Sequence, residues 1–282
     1  MAILLALGAA ISYGVGDYIG GRHSRHNAPV VIALLAELTV LPVFLVVVPL
    51  LEDEAPTAAA WWWGMAAGAS GSIGVLGLYA ALSRGNMTVV APVTGVVAAV
   101  VPVGVGIALG ERPSTASALG IVLAIVAVGL IGGVVGVTHV AVHGPTVVLA
   151  VFVGVAFGLL FVAYSRTGDD AGLWPLLAAR FGGAPLLASS YVVARRRRMI
   201  APPNRSAVAP GVAVGSMVGL ANLLYLLASR RGLLSVVAVV VSLYPASTVA
   251  LAALFDGERV SRSQAAGMVL AVVAVATITS GS

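Results

Sequence analysis

The sequence contains no cysteine and no lysine, and only 9% of its 282 residues are charged. Without cysteine there are no disulfides, no thiolate nucleophile and no Cys-based metal site. Without lysine, all fifteen basic residues are Arg. The four histidines, His23, His26, His139 and His143, lack acidic companions nearby, so no metal site is expected. No Walker A run appears, so the chain has no ATPase engine of its own, and no cofactor is expected. A soluble chain carries charge at about a quarter of its positions and is roughly half apolar. Here 60% is apolar and the mean hydropathy is +1.08. A soluble core of this size cannot hide that much apolar surface, so lipid must be the solvent for much of it.

Apolar stretches run at 2–20, 30–50, 61–82, 87–109, 115–137, 145–164, 172–194, 208–229, 233–255 and 263–280. Each approaches the roughly 20 residues that a helix needs to cross hydrocarbon. They are continuously apolar, whereas barrel strands alternate over about ten residues, so helices are expected and a β-barrel is not. Met1–Ala10 has no positive leader and no persuasive cleavage site, so the first helix reads as retained. The net charge of +5 is concentrated in a loop, with Arg195, Arg196, Arg197 and Arg198 consecutive between two apolar stretches. That pattern points to a membrane-flanking loop and away from nucleic acid.

The chain repeats itself. A shift of 147 places Arg84-Gly85 on Arg231-Gly232, Gly110-Glu111-Arg112 on Gly257-Glu258-Arg259, Ser114 on Ser261 and Gly120 on Gly267. Earlier in each half the shift is 143, pairing Pro42 with Pro185 and Glu37 with Arg180. Five spans per copy is odd, so the second copy enters the membrane inverted. The expectation is an all-α integral membrane protein of ten transmembrane helices in two inverted five-helix repeats, 1–138 and 139–282. Inverted repeats are a recurring build for secondary transporters, with the substrate site near the midplane where the copies meet.

These residues carry a resemblance. Leu78-Tyr79-Ala80-Ala81-Leu82, a short polar break, and a helix closing on Gly110-Glu111-Arg112 return as Leu224-Tyr225-Leu226-Leu227-Ala228 and Gly257-Glu258-Arg259. The arrangement resembles the EamA-type module of the drug/metabolite transporter superfamily over essentially the whole chain. The resemblance implies a ten-helix secondary transporter of small organic solutes, often outward, with a cavity among helices 1–3 and 6–8. The basic residue usual in a module's second helix is matched by Arg180, whereas the first copy departs with Glu37.

Asp17, Glu37 and Arg180 are the only Asp, Glu or Arg inside the apolar stretches. A charge at mid-bilayer costs about 2.5–3.5 kcal/mol on insertion scales, so such residues face a cavity or a partner. Glu37 lies roughly 12 Å into its helix, near the midplane of a ~30 Å core, and Arg180 sits at similar depth. The two are expected to pair, directly or through substrate, as substrate or coupling residues or as a structural pin between helices 2 and 7. Asp17 is closer to a helix end, where partial solvation is the simpler reading. Tyr13, Ser72, Tyr79, Tyr164, Asn222 and Tyr225 complete the candidate substrate site. Asn222 stands out because a buried amide must find partners. Trp61, Trp62, Trp63 and Trp174 read as an interfacial aromatic belt. Gly64, Gly68, Gly211, Gly215 and Gly219 read as smooth helix-packing faces. Pro42, Pro92, Pro102, Pro185 and Pro245 permit kinks inside spans.

Enzyme chemistry is not expected. Gly68-Ala69-Ser70-Gly71 matches the pattern around the serine of intramembrane proteases, but every histidine falls in a loop or at a helix end, away from any buried base position. The glycine series from Gly68 to Gly77 opens no βαβ unit, so it is no dinucleotide loop. The reading is therefore a transporter of a small organic solute in the cytoplasmic membrane, working by alternating access. A coupling proton on Glu37 is the sharper form and uncoupled diffusion the fallback; a non-transporting membrane scaffold is the alternative. Its partners are solute and lipid bilayer, and the sequence sets no oligomeric state. Ten arginines fall in loops on the face opposite the termini and four on the terminal face. The positive-inside rule then puts the termini outside, whereas the family resemblance implies termini inside.

Overall fold

A computed structural model describes residues 1–24, 26–82, 87–132 and 144–281, with the backbone alone for 79–82, 87–89, 91 and 92. Among the described residues there is no strand. The helices are α1 (Ala2–His23), α2 (Pro29–Leu51), α3 (Ala58–Leu82), α4 (Met87–Ala108), α5 (Thr115–Gly132) and α6 (Gly144–Ser165), followed by α7 (Trp174–Arg196), α8 (Val208–Ser229), α9 (Leu234–Val241), α10 (Tyr244–Asp256) and α11 (Arg262–Ser280). Among the described residues, eight segments are long and apolar enough to span a membrane, α9 and α10 counting together as one, and Val93–Ala108 of α4 is a shorter apolar helix. Ten apolar helical segments therefore fit, and the protein is a multi-pass membrane protein. Helices prevail because hydrocarbon offers no hydrogen-bond partner to the backbone, and a helix satisfies its own.

One expected span is broken. The stretch 233–255 reads as one helix, but α9 ends at Val241 and α10 begins at Tyr244. Pro245, in the first turn of α10, lacks an amide hydrogen and cannot continue the helical ladder of α9. Ser242 instead closes α9, its N–H and Oγ both donating to the carbonyl of Ala238. All eight residues of α9 are buried, whereas α10 buries none, so only the first part of the broken span lies in the core.

The helices of the two halves interleave. Helix α1 packs on α8 and α6 packs on α3; α2 packs on α8 and α7 on α3. On one flank α5 lies along α11. Glycines set these approaches. A Cβ on Gly68 would overlap the carbonyl oxygen of Ala179 in α7, and one on Gly215 would come within 2.5 Å of the carbonyl oxygen of Ala36 in α2. Between α5 and α11 the contact is reciprocal. Gly120 faces Ile278, 2.5 Å from its would-be Cβ, while Gly267 faces Ile131 at 2.8 Å. Each of those residues is the other's counterpart under the shift of 147.

The repeated Gly-Glu-Arg-x-Ser segments make tight helix–helix turns. Gly110 and Gly257 hold φ of +94° and +66°, backbone that suits glycine after a helix. Ser114 Oγ accepts from Ser117 N at 3.2 Å, and Ser261 Oγ accepts from Gln264 N at 3.2 Å, so each serine caps the helix that follows. Glu111 reaches across the molecule, where its carboxylate accepts from Leu234 N at 2.6 Å and Ser235 N at 2.9 Å, capping buried α9.

Candidate functional site

At the centre of the bundle, α2 and α7 bring Glu37 and Arg180 together. Arg180 Nη1 donates to Glu37 Oε2 at 2.7 Å, and both side chains are less than a tenth exposed. Direct pairing, one of the two arrangements the sequence allows, is the one observed. The pair touches at one point only. Glu37 Oε1 and Arg180 Nε are buried without a hydrogen-bond partner. The Tyr164 hydroxyl, on α6, is buried beside Arg180, which acts on it by charge and as a hydrogen-bonding neighbour. Each buried polar group left unpaired costs about 1–3 kcal/mol. Two of them belong to the ion pair itself, so the arrangement leaves room in its bonding for a polar guest.

A second layer joins the pair from α1 and α8. The Tyr13 hydroxyl donates to Asn222 Oδ1, which answers the need of a buried amide for a partner. The Tyr225 hydroxyl donates to the Phe161 carbonyl at 2.9 Å. Rings follow in sequence through the core, with Phe161 4.7 Å from Tyr225, Tyr164 6.2 Å from Tyr225, and Tyr13 6.4 Å from Phe161 and 6.3 Å from Tyr244. Six of the nine sequence-named residues, Tyr13, Glu37, Tyr164, Arg180, Asn222 and Tyr225, thus form one connected buried zone. Ser72 is buried at the α3–α7 contact, beside Gly183. The side chain of Tyr79 lies outside the described residues.

Asp17 is exposed, yet it lies one turn beyond Tyr13 on the same face of α1 and interacts electrostatically with Tyr13 and Tyr244. The exposed apolar residues Leu4 and Ile11 sit about 140° and about 120° around the helix from it. Asp17 therefore lies on the face of α1 that carries Tyr13, turned from Leu4 and Ile11, with its own side chain exposed.

Two residues escaped the sequence reading. Tyr244 follows the break in the ninth span, and Phe161 supplies both a ring and a carbonyl; Pro245 was the signal that could have drawn attention to the first. The histidines stay away from the centre, with His23 at the end of α1 and His26 beyond it; His139 and His143 lie outside the described residues. Among the described residues no group of acids and histidines could hold a metal ion. Trp62 and Trp63 are exposed, as a belt requires, but Trp61 packs its ring 5.4 Å from Phe181 of α7. Trp174 Nε1 donates to the Glu54 carbonyl at 2.8 Å, and Glu52 accepts from Leu173 N at 2.6 Å. On that rim Arg230 donates to the Gly172 carbonyl at 2.5 Å, and partial burial lowers its pKa against the opposing pull of Asp169 and Glu52. On the opposite face Arg22 pairs with Asp256 at 2.9 Å.

A family model described as the EamA-like transporter family matches residues 1–133 and 144–280. No curated protein matches the chain. A crystal structure described only as that of a protein shares 17% identity, covers 99% of this chain and 96% of its own, and superposes with a TM-score of 0.77. At that identity the likeness speaks for the fold.

Proposed function

The chain belongs to the EamA-like transporter family, and from that premise we propose that it is a secondary transporter carrying a small organic solute across the cytoplasmic membrane by alternating access. The observation that carries this reading is the central one: a buried ion pair whose Glu37 Oε1 and Arg180 Nε lack partners, with the Tyr164 hydroxyl beside it, walled by helices from both halves. A pure scaffold gains nothing from leaving such atoms unsatisfied.

The halves 1–138 and 139–282 act as two inverted units that rock about this centre. The reciprocal Gly120–Ile278 and Gly267–Ile131 contacts, and the exchange of α1–α8 for α6–α3, support that two-fold relation. The glycine faces between α3 and α7 and between α2 and α8 let backbones approach closely enough to slide. Helices α1–α3 and α6–α8 line the path, which Tyr244 at the start of α10 also reaches; α4, α5, α9, the rest of α10 and α11 form the supporting frame. Glu37 carries the coupling proton. Once protonated it no longer neutralises Arg180, and the hold of α2 on α7 through the pair loosens. The arginine-rich face opposite the termini is cytoplasmic.

The test is flux in proteoliposomes, preceded by a thermal-shift screen of solutes, since a ligand of the folded state raises its melting temperature. Glu37→Gln should abolish pH-driven uptake with the fold intact, and unchanged coupling would remove the proton role. A folded protein that binds and moves no solute would make it a scaffold.

A further inference from the structure

The central charges do not cancel. Glu37 is neutralised by Arg180 at 2.7 Å. Asp17 has no ion-pair partner among the described residues, and the nearest arginine along α1, Arg22, is held by Asp256 at 2.9 Å. The three membrane-embedded charges therefore sum to one negative charge, placed on the only one of them that is exposed. An unpaired carboxylate within a span is costly unless it meets water or a cation. Exposed, and on the same face of α1 as Tyr13, Asp17 is open to either.

Its surroundings suit an organic cation. Tyr13 and Tyr244, each half-buried, interact with Asp17, and their rings stand 6.3 Å apart at 60°. A carboxylate with two tyrosine rings in its neighbourhood offers the two attractions that alkylammonium groups find in proteins, charge and π-electron density. We propose that Asp17 is the counter-ion for a positively charged amine, flanked by Tyr13 and Tyr244, and that such amines are the substrate class of the transporter. This rests on the transport reading above and assigns its substrate charge. Arg180, already paired, then serves to hold Glu37 and the packing of α2 on α7.

The experiment measures binding of benzyltrimethylammonium and of benzenesulfonate, similar in size and opposite in charge, to the purified full chain in nanodiscs by calorimetry. The cation should bind and the anion should not. Asp17→Asn should weaken cation binding about tenfold or more, Asp17→Glu should retain most of it, and Tyr244→Leu should weaken it about threefold. An unchanged melting temperature in Asp17→Asn shows that the loss is not unfolding; if that variant does not fold, the Asp17→Glu and Tyr244→Leu affinities decide. Unaltered cation affinity in a folded Asp17→Asn, or preference for the sulfonate, overturns the assignment while leaving a transporter standing. Absence of cation binding by the wild type also overturns it, and the flux assay then decides the transport reading separately.

Discussion

The fourth span of each half is the same element by sequence and two different elements in space. Helix α4 runs unbroken from Met87 to Ala108, whereas its counterpart is α9 and α10, parted at Ser242 and Leu243. Under the shift of 147, Pro245 stands on Ala98 and Tyr244 on Val97. By contrast, α5 and α11 have kept their serine caps and their glycine–isoleucine contact almost residue for residue. A similar divergence separates Glu37 from Arg180. The frame at the flank has stayed repeated, and the differences gather where the helices meet polar side chains at the centre. A symmetric pair of like charges at one point would repel in a medium of low dielectric; opposite charges at those positions bind.

The strongest way to break the comparison is at the charged pair. Removing one partner, by Arg180→Ala or Glu37→Ala, leaves a buried charge alone and should cost about 3–5 kcal/mol of stability. The exchanged double variant, Glu37→Arg with Arg180→Glu, should recover a large part of that loss in thermal denaturation if the positions are two-fold equivalents. Next is the glycine face. Gly68→Ala should lower stability by about 3 kcal/mol and Gly215→Ala by about 1–2 kcal/mol, because the α3 backbone lies closer to α7 than α8 does to α2. The caps sharpen the likeness where the glycines sharpen the difference. Ser114→Ala and Ser261→Ala should each cost about 1 kcal/mol, and nearly the same amount as each other. Smallest in stability is Pro245→Ala, within about 1 kcal/mol, as it restores an amide that the break leaves out. Its effect should appear instead as slowed flux if the break serves movement.

Much of this was legible because of what hydrocarbon forbids. Charges are so costly at depth that Asp17, Glu37 and Arg180 announce themselves, and the pairing of the last two follows from their matching register. The spans are legible for the same reason, and the Gly-Glu-Arg-x-Ser repeat marks where they turn. What stayed hidden depends on neighbours far along the chain. Tyr13 finds Asn222, and Glu111 finds the start of α9, through packing that no local pattern announces. The break at Ser242 was masked by the ordinary presence of proline in membrane helices, where only some prolines interrupt the ladder. The neighbours of Asp17 stayed hidden because depth along a helix says little about the direction a side chain takes; its phase with Tyr13 held that information.

The interleaving of the halves has a consequence for biosynthesis. Helix α1 leaves the ribosome long before α8, its packing partner, exists, and Glu111 emerges well before the helix it caps. At about 5–20 residues per second, the separation between α1 and α8 amounts to roughly ten to forty seconds of translation. During that interval Tyr13 and Glu37 stand in the bilayer without the Asn222 and Arg180 that will later receive them. The nascent first half must therefore rest in lipid, or against the insertion machinery, as a set of loosely held helices. Assembly completes when the second half arrives to close around it.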